Sequence, residues 1–378
     1  MNLRGVCKMT GGKLVGVSLA VRLGVLDNVT IDGDFFLHPE ERTTATIQAV
    51  CKSLQGMRAD TGLPALAARI QASIPFGVEL IGTDPSAIAI AVRRAIDQNP
   101  DEATAPVAAR IGQFTSAEID RLTAGWQSIP WRLIPEVPHS PAMNVALDEV
   151  LTNRVAEGRS APCLRFWRWT QPAVIIGRCQ SVLNEVDREV AEQMGITIVR
   201  RMTGGGAMFL QPHGAITYSL YLPEKELEGL SIRQSYEVCE AWLIRGLHSL
   251  GVDAHHVPIN DIACSEGKIG GAAQARRRGM VLHHTTLAYD MDPGEMVKVL
   301  RIGREKLKDK ATKSAEKRVS PLVRQTGRSR EEIVAVLFAS FRNSYGGTDS
   351  ALSADELAEA EELVRTKYAD PVWTNEYE

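Results

Sequence analysis

Apolar positions along the chain switch between two rhythms. From Met143 to Val155 they recur at helical spacing and stop before Gly158. Cys163 to Trp169 alternates as a strand does, and Ala173 to Ile176 is a short buried run closed by Gly177-Arg178. Glu185 to Met194 predicts a helix ended by Gly195, and Ser231 to Leu250 a longer one ended by Gly251. Ile196 to Val199, Ile216 to Leu222 and Val281 to Tyr289 read as strands. Helices follow from Gly294 to about Lys308, Ser329 to Ser344 and Ser353 to Lys367. The last two open with Ser329-x-x-Glu332 and Ser353-x-x-Glu356, the spacing of a capping box. Tight connections join several strands, and helices do not alternate strictly with them. That pattern predicts an α+β layer fold rather than a doubly wound parallel sheet.

The first 95 residues carry a separate pattern. Gly11-Gly12-Lys13-Leu14-Val15-Gly16-Val17 reads as a turn into a strand, and Val29 to Pro39 as a second strand running into a turn. A helix is expected from Glu41 to about Leu54, and another apolar-periodic segment covers Pro85 to Ile96. Asn99-Pro100-Asp101-Glu102 is turn-like, and a short helix spans Ser116 to Thr123. The expected organisation is a small α/β unit over 1–95, a connection over 96–126 and a larger unit over 127–378. The Asp32-Gly33-Asp34 group is better read as a turn than as a cation site.

Composition narrows the function classes. The chain has 378 residues, 44% hydrophobic and 24% charged, with a net charge of −3. That is an ordinary globular balance with no bulk basic field for nucleic acid. No apolar run is long enough to cross a bilayer, and Met1 to Thr10 lacks the apolar core of a secretory signal. A cytoplasmic protein with neither a nucleic-acid nor a membrane partner is expected. Six scattered cysteines form no C-x-x-C pair, which points to reduced thiols.

Chemistry concentrates in two stretches. In Arg200-Arg201-Met202-Thr203-Gly204-Gly205-Gly206-Ala207-Met208-Phe209, two cations precede three glycines. Glycines here suit a sharp turn that something must approach closely, and arginine's planar fork suits phosphate or carboxylate oxygens. A plain hairpin with solvated arginines is an equal alternative. There is no G-x-x-x-x-G-K-[ST], and these glycines do not fit G-x-G-x-x-G. The second stretch runs from Asn260-Asp261 through Cys264 to Lys268-Ile269-Gly270-Gly271-Ala272-Ala273-Gln274. Lys268, boxed by small residues, can reach a phosphate or a reacting carbonyl as a point charge. The alternative is a surface lysine in a hairpin. Asp261 can hold magnesium, partner the lysine, or serve as a turn carboxylate after Pro258. Cys264 is a nucleophile only if a base activates it, and otherwise an ordinary cysteine. His255-His256 and His283-His284 cannot each close on one ion, because neighbours on a strand face opposite ways. Arg276-Arg277-Arg278 is a basic turn, solvated or facing an acidic partner.

At these residues the sequence resembles the lipoate–protein ligase family, within the wider biotin/lipoate ligase superfamily. The likeness covers roughly residues 127 to 378. It runs in order through Met143-Asn144-Val145-Ala146-Leu147-Asp148-Glu149, Val174 to Gln180, Arg200 to Ala207, Asn260-Asp261, Lys268 to Gln274 and His283-His284-x-Thr286-Leu287. Gly12-Lys13-Leu14 and Gly33 to Glu41 resemble the family's accessory domain, here placed before the catalytic part rather than after it. The resemblance implies a mixed sheet with packed helices, like class II aminoacyl-tRNA synthetases and biotin synthetase, plus a small α/β accessory domain.

The resemblance also implies an activity. ATP and Mg2+ would activate lipoate or octanoate to an acyl-AMP. The acyl group would then pass to a lysine of an acceptor lipoyl domain or H-protein-like carrier. Arg201 and the loop Gly204, Gly205, Gly206, Ala207, Met208 and Phe209 would hold the nucleotide. Asn260 and Asp261 would lie at the adenylate, Asp261 with magnesium, and Lys268 would be the catalytic contact to carbonyl and phosphate. His213-Gly214-Ala215 stands where ligases often have Gly-Asn-Thr, a departure that bears on adenylation. The second reading is an octanoyltransferase using a carrier-bound acyl group and a cysteine. Such relatives place the cysteine where this chain has Asp253-Ala254-His255, so the ligase is put first. A third reading, a non-catalytic binder of lipoyl domains, is opposed by the intact Lys268 and Arg201.

Overall fold

A computed structural model describes residues 3–9, 12–97, 114–301 and 319–377. The turn expected at Asn99 to Glu102 lies outside them; the helix expected from Gly294 to Lys308 ends earlier, at Val299, where Leu300 turns extended and bridges to Val186. In the N-terminal unit, β1 (Leu3–Lys8), β2 (Leu14–Arg22) and β3 (Val25–Gly33) form an antiparallel sheet, and β4 (Phe36–His38) pairs with β5 (Glu79–Ile81). Helices α1 (Thr43–Leu54), α2 (Leu63–Ser73) and α3 (Pro85–Asp97) pack on it. Val15, Val17 and Leu19 alternate inward and meet Ile47, Val50 and Val92 in a core that also takes in Cys179 of the larger unit. Helix α2 gave no clear periodic signal, because only Leu66 and Ile70 of its eleven residues are buried.

The stretch read as a connection is partly structural. Thr115 and Glu118 close a capping box on α4 (Ser116–Leu122), and Ile119 and Trp126 enter the large core. There follow β6 (Arg132–His139), α5 (Pro141–Ala156), β7 (Cys163–Trp169), β8 (Ala173–Ile176), α6 (Val182–Glu185), α7 (Arg188–Gln193), β9 (Thr197–Arg200), β10 (Met208–Leu210), β11 (Ala215–Pro223) and α8 (Ile232–Ser249). Then come β12 (His255–Val257), β13 (Asp261–Cys264), β14 (Gly267–Arg277), β15 (Met280–Ala288), α9 (Pro293–Val299) and β16 (Thr348–Asp349). The main sheet has eight strands in the order β12-β13-β14-β15-β11-β7-β6-β16. It is mixed: β6 runs parallel to β7 and to β16, and the other pairs are antiparallel. A small sheet, β10-β8-β9, lies apart. This is the α+β layer architecture expected.

Strand β11 sits at the centre. Ile216, Tyr218, Leu220 and Leu222 join Trp242 and Leu243 of α8 in the large core. On the other face Ser219 and Tyr221 meet Asp148 of α5. The final helices, Arg330–Tyr345 and Ala354–Leu363, carry the two expected capping boxes. The helix expected over Glu185 to Met194 is broken instead. Val186 is extended and bridges to Leu300, and the Asp187 carboxylate caps a new helix by accepting from the Val190 N–H. The glycine-rich 267–277 stretch is one long strand. A side chain at Gly270 would come within 2.4 Å of the Thr286 carbonyl oxygen, so only glycine lets β14 pass β15 there.

Candidate active site

Strands β13 and β14 form a hairpin with a bulge between Ile262 and Ala263. The bulge sets Asp261 and Lys268 on one face, where Lys268 Nζ donates to Asp261 Oδ1 at 2.8 Å. Both are part-exposed, at 47% and 37%. An exposed pair of this kind adds little stability, so its value lies in placement. Gly271 lies opposite Asp261; a side chain there would stand 3.3 Å from Lys268 Nζ. The glycine keeps space beside the ammonium open.

Lys268 lines a cavity of about 210 Å³ between β14, β15 and β10. Phe209, Ile269, Leu287 and three methionines, Met208, Met291 and Met296, supply most of its bulk. Lys268 is the one charged side chain among the described lining residues. The volume falls below the ~300–1,000 Å³ common for drug-sized ligands. Such a shape suits a short unbranched chain, which methionines can close around, with its polar end at Lys268. Gly214 and Ala215, at the position where ligases often show a polar pair, form part of the apolar wall.

The expected site residues divide into three places. Ala207, Met208, Phe209 and Lys268 line the cavity, with Asp261 on the lysine. Gly204, Gly205 and Gly206 instead lie beneath the N-terminal unit. A side chain at Gly204 would come within 2.5 Å of the Phe36 ring and 2.8 Å of the Phe35 carbonyl oxygen. Close approach does explain the glycines, and what approaches in this structure is protein. Asn260 also faces the N-terminal unit: its Oδ1 accepts from Lys13 Nζ, and its amide donates to the Ala272 carbonyl.

Arg201 is buried and turned inward. Its guanidinium donates to Thr203 Oγ1 (2.9 Å) and to the carbonyls of Ile175 (3.0 Å), Gly204 (2.6 Å) and Gly206 (2.9 Å). It stiffens the loop from within and is not among the cavity-lining residues. Arg200 is fully buried and ties the Gly177–Gln180 turn to the carbonyls of Trp373 and Thr374.

A polar chain that the sequence did not single out supports the same loop. Buried Asp148 accepts from Ser219 (2.8 Å), Tyr221 (2.6 Å) and Arg165 (3.2 Å), and pairs with His284 Nδ1 at 2.8 Å. His284 Nε2 lies 2.8 Å from Thr203 Oγ1, which accepts from Arg201. Burial lowers the pKa of His284, with Asp148 pulling the other way. A neutral imidazole donating through Nδ1 to Asp148 leaves Nε2 to accept the threonine hydroxyl, and every donor then meets an acceptor.

Cys264 points away from this chemistry. It is buried with Ile262 and Ile269 in the large core, while Asp261 and Ala263 alternate to the other face. No cysteine is among the described cavity-lining residues. Burial pushes the thiols of Cys163 and Cys179 up to about 12, as for inert core cysteines. Among the described residues no group of three or more His, Cys, Asp or Glu side chains could hold a metal ion. Asp261 could give magnesium one carboxylate, which suits an ion that takes its remaining ligands from phosphate and water. No described helix is long and apolar enough to cross a membrane.

The site is thus an apolar slot ending at a lysine–aspartate pair, on a mixed sheet with packed helices. Residues 140–342 match the lipoyl protein ligase A/B catalytic domain, and the chain belongs to that family. Among curated proteins it is similar to octanoyltransferase LipM of Brevibacillus brevis, 29% identical over 64% of this chain and 98% of that protein. Among solved structures it is similar to the bipartite lipoate protein ligase of Thermoplasma acidophilum, described with its E2 lipoyl domain. That likeness is 29% identical with a TM-score of 0.59, over 65% of this chain and 96% of the other. A lipoate–protein ligase A bound with ATP is 27% identical with a TM-score of 0.57, over 65% and 98%.

Proposed function

We propose that this protein transfers an octanoyl or lipoyl group to the lysine of an acceptor lipoyl domain. The observation that carries this reading is the narrow apolar cavity with Lys268 as its one charged wall residue. Eight carbons of chain fill the slot, and the carbonyl lies against the ammonium. As the acyl carbon is attacked, negative charge grows on its oxygen, and Lys268 stabilises it in place. Asp261 holds the lysine aimed. The chain Asp148–His284–Thr203–Arg201 fixes the loop that forms the far wall.

Two donors fit. The relatives' name, octanoyltransferase, supports an octanoyl group delivered by a carrier. It reverses the order of the sequence reading, which put the ATP-dependent ligase first. A specific observation supports ATP-dependent activation as the second reading: no thiol is among the described lining residues, and Cys264 lies on the opposite sheet face. The solved neighbour bound with ATP agrees with it. Bound ATP and magnesium would supply the leaving group that makes a free carboxylate reactive, with Asp261 and Lys268 the nearest charged contacts. The N-terminal unit, in this reading, is an accessory domain that covers the glycine loop.

One experiment separates the readings. The full chain is incubated with an acceptor lipoyl domain and either octanoyl carrier protein alone, or octanoate or lipoate with ATP and Mg2+. Mass gain on the acceptor from the carrier supports the first donor, and gain only with ATP supports the second. No gain under either condition rejects acyl transfer altogether.

A further inference from the structure

Lys268 stands where the main sheet is running out. On one side its backbone lies opposite Ala263 of β13. On the other, the register of β14 with β15 begins only at Gly270, opposite Leu287, and β15 ends at Ala288. The partner for Lys268 comes from further along the chain. Val319 forms a parallel bridge to it, and the Ser320 N–H donates to the Lys268 carbonyl at 2.8 Å. The same short segment reaches the cavity, where Val319 is part of the wall.

Ser320 is itself held from two directions. Its hydroxyl donates to Glu266 Oε2 at 3.3 Å. The Gln325 amide donates to that hydroxyl at 2.9 Å and to the Ser320 carbonyl at 3.1 Å, so one side chain serves two acceptors of one residue. Gln325 lies on the short helix Leu322–Thr326, whose Val323 N–H donates to the Tyr289 carbonyl at 3.1 Å, just past the end of β15. That bond fixes the helix to the sheet, and the glutamine carries the fixation through Ser320 to Lys268. An ammonium stabilises growing charge only where it already stands, and the half-exposed pair with Asp261 orders its head group alone. The backbone beneath it needs a support of its own.

We propose that Gln325 is a positioning residue for acyl transfer, fixing the backbone of Lys268 through Ser320 and with it the place of the ammonium at the cavity. The proposal rests on the acyl-transfer reading above. It holds for either donor, because it concerns the lysine and not the leaving group.

The test is steady-state transfer to an acceptor lipoyl domain by the full chain, with whichever donor the wild type uses. Gln325 is half-buried, and Gln325→Met keeps its length while removing both donors. In this variant kcat should fall about tenfold, as a slightly misplaced charge implies, with KM for the acyl donor within about twofold of wild type. Gln325→Lys keeps a donor at similar reach and should recover most of kcat. In a Lys268→Ala background Gln325→Met should cost little, because the group it positions is gone. An unchanged kcat in Gln325→Met, or a loss that falls on KM instead, overturns the proposal and leaves acyl transfer standing. So does a Gln325→Lys variant as slow as Gln325→Met, or an equal loss from Gln325→Met with and without Lys268. A wild type that transfers from neither donor overturns the acyl-transfer reading itself, and the proposal with it.

Discussion

The hydroxyl of Thr203 and Nε2 of His284 lie 2.8 Å apart, and through them the glycine loop is hydrogen-bonded to the buried carboxylate of Asp148. The loop is therefore held by the interior of the main sheet as well as by the bonds Arg201 makes within it. Thr203→Val keeps the volume and removes the hydroxyl. It leaves His284 Nε2 and Arg201 Nε without that partner, in a site where burial makes an unmet group cost about 1–3 kcal/mol. Urea unfolding should show a lower midpoint of about that size at unchanged slope, and acyl transfer should fall as the cavity wall loosens. An unchanged midpoint would mean the chain of bonds does not hold the loop.

Lys268→Ala should keep the fold, since the side chain is about half exposed. Removing the one charge at the cavity should lower acyl transfer on the order of a hundredfold, or about 3 kcal/mol. Near-normal turnover with either donor would remove Lys268 from the mechanism.

Cys264 packs in the core on the face away from Lys268. Cys264→Ser should retain most transfer activity, with some loss of thermal stability from the buried hydroxyl. Mass spectrometry after exposure to octanoyl carrier protein should find no adduct on this residue. A stable octanoyl adduct there, lost in the serine variant together with activity, would establish a thioester route that this geometry opposes.

His283 is fully buried between Gln274, whose amide lies 3.0 Å from Nδ1, and Thr285, 3.1 Å from Nε2. Burial holds its pKa well below 6.5, with repulsion from His284 and His256 adding to the shift. The unfolded chain accepts this proton near 6.5, the folded chain only far lower. The contribution to stability is thus complete above about pH 6.5 and is lost as pH falls below it. His256, raised beside Glu240, works in the opposite sense. Urea unfolding at pH 7.5 and 5.5 should show a shallower loss on acidification in His283→Gln than in wild type. Equal losses would mean that His283 does not carry this dependence.

What the sequence disclosed followed the range of each interaction. Helix α8, strand β11 and the two late capping boxes rest on patterns a few residues long, and they were legible. Lys268 and Asp261 stand seven residues apart on one hairpin, so their pairing was within reach of spacing alone. Lys13 against Asn260 and Phe36 over Gly204 join segments far apart in the chain, and no local rhythm marks them. Arg201 shows the converse. Its place beside three glycines suggested an anion, yet its hydrogen bonds run to the loop's own carbonyls, which no spacing rule distinguishes.

The two faces of β11 make the protein's arithmetic strict. Odd positions along it, Ser219 and Tyr221, complete the bonding of Asp148, while even ones, Tyr218 and Leu220, fill the core against α8. Side chains on a strand alternate with a period of two, so a one-residue insertion or deletion in β11 exchanges the two sets at once. Leucine would then face a buried carboxylate, and serine would face Trp242. Substitutions in this strand should be negotiable one by one, whereas a change in its length should abolish core and loop support together.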